Sequence, residues 1–208
     1  WLARSNFSTQ SLRTLLGREH GITRPRIHLM QPYDPNRRVV VMLHGLASSP
    51  EAWINVANEV LGEETLRRNY QIWQVYYPTN APIALNNRNI RDAIAQTLQH
   101  FDPAGTAVAS QNITLVGHSM GGVLARQMVT DTKGSLVDSI ATQMKLPASI
   151  KDQVQDELAS LLEFAPVPQV SSAVFIAAPH RGTDFANHRL ARWASNLITL
   201  PFSMVEGV

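Results

Sequence analysis

Hydrophobic and polar positions follow two alternating patterns along the chain. Short apolar runs rich in β-branched and aromatic residues end in turn sequences, and the longer segments between them repeat apolar residues every three or four positions. This alternation predicts strands and helices in turn, which is typical of a mostly parallel sheet with helices on both faces and hence of an α/β fold. The predicted strands are Arg38–Leu43, Tyr70–Tyr77, Asn112–Val116 and Ser172–Ala177.

Each predicted strand is followed by a turn sequence, in chain order HG, YPTN, GHS and APHRG. The carboxyl ends of parallel strands meet at one edge of a sheet, and ligands of such sheets bind outside that edge. We therefore expect the functional loops to be these four.

Three helices are predicted from their caps and periods. For the first, Ser49 is the expected N-cap, Pro50 takes the first helical position, and Gly62 ends the helix in the left-handed conformation. The second is expected from about Asn87 to Phe101, where the apolar residues share one face. The third begins at Ser119.

Residues 131–169 separate the third helix from the last predicted strand. The stretch SIKDQVQDELASLLEF predicts a helix within this insertion, which can serve as an apolar cap or lid over a lipid-sized pocket or as a core-facing helix surface. One more amphipathic helix is expected over Asp184–Leu200, before Pro201.

Composition narrows the class of protein. A length of 208 residues with 44% hydrophobic and 16% charged residues suits one globular domain spanning 1–208. A formal charge of +2 without a long basic run argues against a nucleic-acid partner. The absence of cysteine excludes a thiolate metal site and a cysteine nucleophile, and no other metal or cofactor motif occurs, so none is expected. No apolar run approaches the ~20 residues of a membrane span.

The segment NITLVGHSMGGVLARQ carries the main chemical signal. Ser119 lies between Gly117 and Gly121, after an apolar strand and before a helical pattern. A sharp strand-to-helix turn exposes a serine hydroxyl to a carbonyl carbon, and small residues two positions away let strand and helix approach. The N–H of Met120, in the first helical turn, is then an expected donor to an oxyanion.

A second oxyanion donor is expected from the loop after an earlier strand. In VVVMLHGLASSP, His44 and Gly45 form a tight turn that directs the N–H of Leu46 toward the pocket of Met120. Gly45 leaves room for a substrate oxygen, whereas packing and loop hydrogen bonding are the expected roles of His44.

Four segments, VVVMLHGLASSPEAW, YQIWQVYYPTNAPI, ITLVGHSMGGVLARQ and VFIAAPHRGTDFA, together resemble the α/β-hydrolase superfamily and its bacterial lipase and esterase branch. The resemblance extends from about Val39 to the end of the chain. It implies a carboxylic ester hydrolase acting on a small-molecule acyl ester or lipid, with Ser119 as nucleophile and Leu46 and Met120 as backbone oxyanion donors. His44, Gly45 and His118 are then expected around the substrate pocket.

The resemblance also implies an acid after a seventh strand and a histidine base after an eighth. Ser172–Ala177 corresponds to the sixth strand, so we expect this chain to be a fragment whose acid and base lie beyond Val208. Within the chain, His180 and Asp184 are the candidate base and acid. PHRGTD is more typical of a turn in which Gly182 supplies backbone freedom and Thr183 or Asp184 caps the next helix.

Three alternatives remain open at this stage. Without the acid and histidine, the chain is a non-catalytic hydrolase-like module that binds an acyl ligand or a partner. An enzyme with the same nucleophile can also be a thioesterase or an acyltransferase. The oligomeric state is undetermined, and a cell-envelope or secreted bacterial protein is favoured over a cytoplasmic one.

Overall fold

The computed structural model describes residues 24–132 and 163–181, and within them five strands form one sheet in the order β1-β3-β2-β4-β5. The strands are β1 (Arg26–Leu29), β2 (Arg38–Leu43), β3 (Tyr70–Tyr76), β4 (Ile113–His118) and β5 (Val170–Ile176). Strands β2 to β5 are parallel to one another, and only β1 pairs antiparallel, with β3. The four strands predicted from sequence are confirmed with ends shifted by up to two residues, and β1 was missed.

Helices connect the strands in the described residues. A 3-10 turn (Pro50–Trp53) precedes five helices: α1 (Ile54–Gly62), α2 (Glu64–Asn69), α3 (Ile83–Phe101), α4 (Val108–Gln111) and α5 (Met120–Met128). Helix α5 follows β4 directly, so Ser119 is the single residue between strand β4 and its helix.

The larger hydrophobic core lies between one face of the sheet and helices α3 and α5. Alternate residues of β2, Val39, Val41 and Leu43, are fully buried in it. Helix α3 contributes Ile90, Ile94 and Leu98, at the spacing that places side chains on one helix face. Most of the apolar stripe predicted for the second helix is therefore buried, whereas Phe101, which was predicted on the same face, is exposed at the end of the helix.

The opposite face of the sheet carries a smaller core. Met42 of β2 and Ile72 of β3 pack there with Trp53 of the 3-10 turn and Ala57 of α1. Successive side chains of a strand point to opposite faces, so a strand covered on both sides is apolar at nearly every position. This explains the run VVVML, and the predicted α/β fold with helices on both faces is confirmed.

The first helix differs from its prediction at both ends. It starts as a 3-10 turn at Pro50, and the Ser49 side chain makes no capping hydrogen bond. Gly62 ends α1 as predicted but without a positive φ, and the next residue, Glu63, is extended. Glu63 instead caps helix α2 by accepting the Leu66 N–H at 2.6 Å. Two short helices share the junction, so no left-handed residue is needed there.

Helix α3 begins one turn earlier than predicted. Its first turn is closed by the Asn86 N–H, which donates to the Pro82 carbonyl at 2.9 Å. The Asn86 side chain donates to the Pro78 carbonyl at 2.8 Å. This buried asparagine links the loop after β3 to the start of α3. The spacing of apolar residues in the sequence does not predict such a polar contact.

Arg91 joins the two ends of the predicted insertion. Its guanidinium donates to the Gln127 carbonyl at 2.8 Å and to the Ala165 carbonyl at 2.9 Å. It also lies over the Phe164 ring at 5.1 Å, and the Phe164 N–H donates to the Thr132 hydroxyl at 3.0 Å. The residues just before and just after the undescribed part of the insertion therefore lie next to each other. Most of the predicted cap within 131–169, and the predicted helix Asp184–Leu200, lie outside the described residues.

Candidate active site

Ser119 occupies a strained position at the carboxyl end of β4. Its backbone has φ 53° and ψ −119°, a combination that non-glycine residues rarely adopt. The backbone is held there by its N–H, which donates to the Ile176 carbonyl of β5 at 2.9 Å. Its carbonyl accepts the Gly122 N–H at 3.0 Å, which closes the first turn of α5. Such strain costs about 1 to 3 kcal/mol and persists only where neighbouring structure enforces it.

The glycines around Ser119 are set by close backbone approaches. A Cβ on Gly117 would lie 2.6 Å from the Gly122 Cα, and one on Gly121 would lie 2.6 Å from the His44 carbonyl oxygen. A Cβ on Gly122 would overlap the Ala178 methyl group. The motif thus lets α5 contact β4, the end of β2 and the loop after β5 together. The strand-to-helix turn predicted from GHSMGG is present.

The start of α5 leaves a backbone donor beside the serine. The first N–H groups of a helix have no acceptor within the helix, and Met120 is the first residue of α5. The positive end of the helix dipole also lies there. The Met120 N–H therefore has the location that an oxyanion donor requires, although its role remains a prediction.

The loop after β2 lies directly against the serine. A Cβ on Gly45 would be 3.2 Å from the Ser119 Cβ and 3.1 Å from the His118 Nδ1. Leu46 follows, half-buried and packed against the larger core. The structure thus brings Gly45, His118 and Ser119 together, with the Leu46 peptide next in the chain, and their place around a substrate pocket stays a prediction.

His44 is buried behind this loop. Its ring stacks on the Tyr77 ring with centroids 4.3 Å apart and planes 10° apart. Nδ1 lies 3.0 Å from the Gly45 carbonyl, which can only accept, so Nδ1 carries the hydrogen. Burial lowers the pKa of His44 to about 4. A neutral, enclosed imidazole of this kind holds the loop and is not suited to be the base for Ser119.

The turn after β3, residues 77–79, contributes two contacts that the sequence did not indicate. The Tyr77 hydroxyl donates to the His44 carbonyl, and the Thr79 hydroxyl accepts the Ala47 N–H at 3.3 Å. Burial raises the pKa of Tyr77, so its hydroxyl stays protonated as a donor. A tyrosine at a strand end carries no sequence signal for its hydrogen-bond partner.

His180 lies in the loop after β5, at the same sheet edge. Its ring is exposed and packs edge-on against Phe175, with centroids 4.9 Å apart, while its N–H donates to the Ala178 carbonyl at 2.9 Å. Across residues 24–132 and 163–181, no hydrogen bond joins a histidine ring to the Ser119 hydroxyl. The candidate acid Asp184 lies outside the described residues, so the His180 and Asp184 assignment stays a prediction.

Backbone strain is concentrated at this edge. Of the described non-glycine residues, three have a positive φ: Ala47 (54°), Ser119 (53°) and Ala177 (47°). They follow β2, β4 and β5, so all three lie at the carboxyl edge of parallel strands. Strained residues cluster at functional sites, where surrounding structure enforces a set geometry. The strain marks the same edge as the sequence motifs do.

No group of three or more histidine, aspartate or glutamate side chains in residues 24–132 and 163–181 is arranged to hold a metal ion. No helix in the same ranges is long and apolar enough to cross a membrane.

Comparison with known proteins gives a family match. A sequence model of the alpha/beta hydrolase family matches residues 40–205. A search of curated protein sequences gives no match.

Solved structures that match this chain include a lipase and an esterase. The mature form of the Bacillus licheniformis lipase BlEst2 is 16% identical over 80% of this chain and 52% of that chain, with a TM-score of 0.44. Its propeptide form is 17% identical over 77% of this chain and 27% of that chain, with a TM-score of 0.43. The propionate-bound esterase Est2 of Thermogutta terrifontis is 17% identical over 81% and 56%, with a TM-score of 0.45. The chain spans between about a quarter and about half of these proteins.

Proposed function

Because the chain belongs to the alpha/beta hydrolase family, we propose that it is a serine hydrolase that cleaves carboxylic esters through an acyl-enzyme on Ser119. The single observation that carries this proposal is the strained turn of Ser119 with the loop after β2 against it. A Cβ on Gly45 would lie 3.2 Å from the Ser119 Cβ, which is closer than an ordinary van der Waals contact. A serine presented in this way, with backbone donors beside it, is suited to acyl transfer.

The proposed reaction has two stages. The Ser119 Oγ attacks the ester carbonyl carbon while a general base takes the hydroxyl proton. The Leu46 and Met120 N–H groups then hold the oxyanion of the tetrahedral intermediate. Collapse breaks the bond to the alcohol, which leaves with that proton, and the acyl group remains on Oγ. Water adds in the same way and releases the carboxylic acid.

We propose His180 as the base inside this chain, oriented by Asp184. Two observations support it: the loop after β5 lies at the edge of Ser119, and the Ser119 N–H bonds to Ile176, four residues before His180. The exposed His180 ring contacts Phe175 and has room to reorient when a substrate binds. Catalytic hydrogen bonds are often formed only in the complex with substrate.

The test is covalent labelling with a fluorophosphonate, read by intact mass. Wild type is expected to gain one adduct, Ser119→Ala none, and His180→Gln an adduct formed at least ~100-fold more slowly, the usual loss when a general base is removed. His100→Gln, which changes an exposed histidine on α3, is the matched control and should label as wild type does. Normal labelling of His180→Gln would refute the base assignment while leaving the serine assignment intact.

A second function, an acyl-binding module without catalysis, is favoured by one observation. Within the described residues, the Ser119 hydroxyl has no histidine hydrogen-bonded to it. A folded chain that gains no adduct yet binds a fatty acid would select this function over the hydrolase.

A further inference from the structure

The loop that carries the proposed oxyanion donor Leu46, residues 44–47, is held by the turn after β3 in addition to its internal hydrogen bond between His44 and Gly45. We call these residues the oxyanion loop, and residues 77–79 the β3 turn. Three contacts join them: the Tyr77 hydroxyl to the His44 carbonyl, the stacked Tyr77 and His44 rings, and the Thr79 hydroxyl to the Ala47 N–H. The Tyr77 and Thr79 side chains are both almost fully buried.

These contacts control the direction of one N–H group. The C=O and N–H of a trans peptide lie in one plane and point in opposite directions. The Gly45 carbonyl and the Leu46 N–H belong to the same peptide, and His44 Nδ1 donates to that carbonyl at 3.0 Å. The His44 side chain therefore sets where the Leu46 N–H points. His44 itself is held at its carbonyl and its ring by Tyr77.

The other end of the loop needs an external contact for a different reason. Ala47 has φ 54°, a conformation that a non-glycine residue leaves when nothing holds it. The Thr79 hydroxyl accepts the Ala47 N–H, so Thr79 holds the residue after Leu46 in the strained state. The peptide that presents the donor is thus fixed before and after by the β3 turn.

We propose that Tyr77 and Thr79 are positioning residues that hold the Leu46 N–H in the direction needed to bind an oxyanion beside Ser119. The proposal rests on the function proposed above. Both residues are buried, and their effect is exerted through His44 and Ala47.

The kinetic test uses variants that remove one hydroxyl each. Tyr77→Phe keeps the stacked ring, Thr79→Val keeps the shape, and Thr79→Ser restores the acceptor. Two matched controls remove a hydroxyl elsewhere: Tyr70→Phe at the opposite end of β3, and Thr97→Val, whose hydroxyl donates to the Ala93 carbonyl within α3.

Positioning predicts a loss in kcat with little change in KM. For hydrolysis of p-nitrophenyl butyrate, we expect kcat to fall about 10-fold in Tyr77→Phe and Thr79→Val, less than the 100-fold or more for loss of an oxyanion donor itself. KM should change less than about twofold, and Thr79→Ser and both controls should match wild type. An alkyl trifluoromethyl ketone, whose adduct with serine carries an oxyanion, should bind more weakly in proportion to the loss in kcat/KM. Unchanged kcat in folded Tyr77→Phe and Thr79→Val, or a change in KM alone, would overturn the proposal.

A second measurement does not depend on activity. The 15N order parameter of the Leu46 amide should be about 0.85 in wild type and fall below about 0.7 in both hydroxyl-removing variants, with no change in the controls. A rigid Leu46 amide in Tyr77→Phe and Thr79→Val would overturn the positioning role. If wild type shows no turnover that depends on Ser119, the proposed function fails, and the order parameter still decides the role of the β3 turn. If Tyr77→Phe does not fold, the Thr79→Val and Thr79→Ser pair carries both measurements.

Discussion

Burial of His44 makes the stability of the protein depend on pH in a defined range. The folded state holds this imidazole neutral, with a pKa of about 4 against 6.5 for an unperturbed histidine, because the ring is removed from water. Below pH 6.5 the His44 side chain binds a proton in the unfolded chain but stays neutral in the folded chain until the pH approaches 4. Stability from this group is therefore complete above pH 6.5 and is lost as pH falls toward 4.

The size of the effect follows from the shift. Each pH unit between the two pKa values is worth about 1.4 kcal/mol, so acidification from pH 7.5 to 5 should remove about 2 kcal/mol through His44 alone. A typical domain is stable by about 5 to 15 kcal/mol, so this loss is readily measured. Carboxyl groups titrate mainly below pH 5 and contribute little over this range.

The assay is urea unfolding followed by circular dichroism at pH 7.5 and pH 5. His44→Asn is the comparison, because asparagine places an amide N–H near the position of Nδ1 and does not titrate. His28, whose pKa burial also lowers, is present in both proteins, and its effect cancels in the difference. Wild type should lose about 2 kcal/mol more than His44→Asn. Equal losses in the two proteins would show that His44 is protonated in the folded state and would refute the account of a buried neutral ring.

Three further predictions concern stability and can be checked by the same unfolding assay. Ser119→Gly should be about 1 kcal/mol more stable than Ser119→Ala, because only glycine relieves the strained φ, and equal stability would argue against strain at this turn. Gly121→Ala should lower the free energy of unfolding by about 3 kcal/mol, because its methyl group would overlap the Leu43 carbonyl. Gly62→Ala, with open space around it, should raise the free energy of unfolding by up to about 1 kcal/mol. A tolerated Gly121→Ala would contradict the packing described for α5. Arg91→Met should lower the free energy of unfolding by about 2 kcal/mol, because two carbonyls lose their donor. The comparison is Arg68→Met, which changes an exposed arginine. A loss in Arg91→Met no larger than in Arg68→Met would contradict the role of Arg91 at the ends of the insertion.

Much of the fold was predictable because its signals are local. The strand Arg38–Leu43 was predicted with its observed ends, since a parallel strand covered on both faces reads as a continuous apolar run. The turn at Ser119 was predictable because glycines at fixed offsets are required wherever a strand and the helix after it approach closely. Strand β1 was missed: four residues at a sheet edge, paired antiparallel with β3, carry too short a pattern to identify.

The amino-acid sequence by itself determined which segments become strands and helices, which serine lies at the strand-to-helix turn, and which loop lies near it. These follow from interactions within a few residues of one another, where periodicity and backbone sterics act. Only the tertiary structure decided that Tyr77 holds His44 across 33 positions of sequence, and that Gly122 meets Ala178 of the loop after β5. Such contacts depend on the order and register of strands in the sheet. That order results from burying the whole set of apolar faces at once, so it is not written in any single segment.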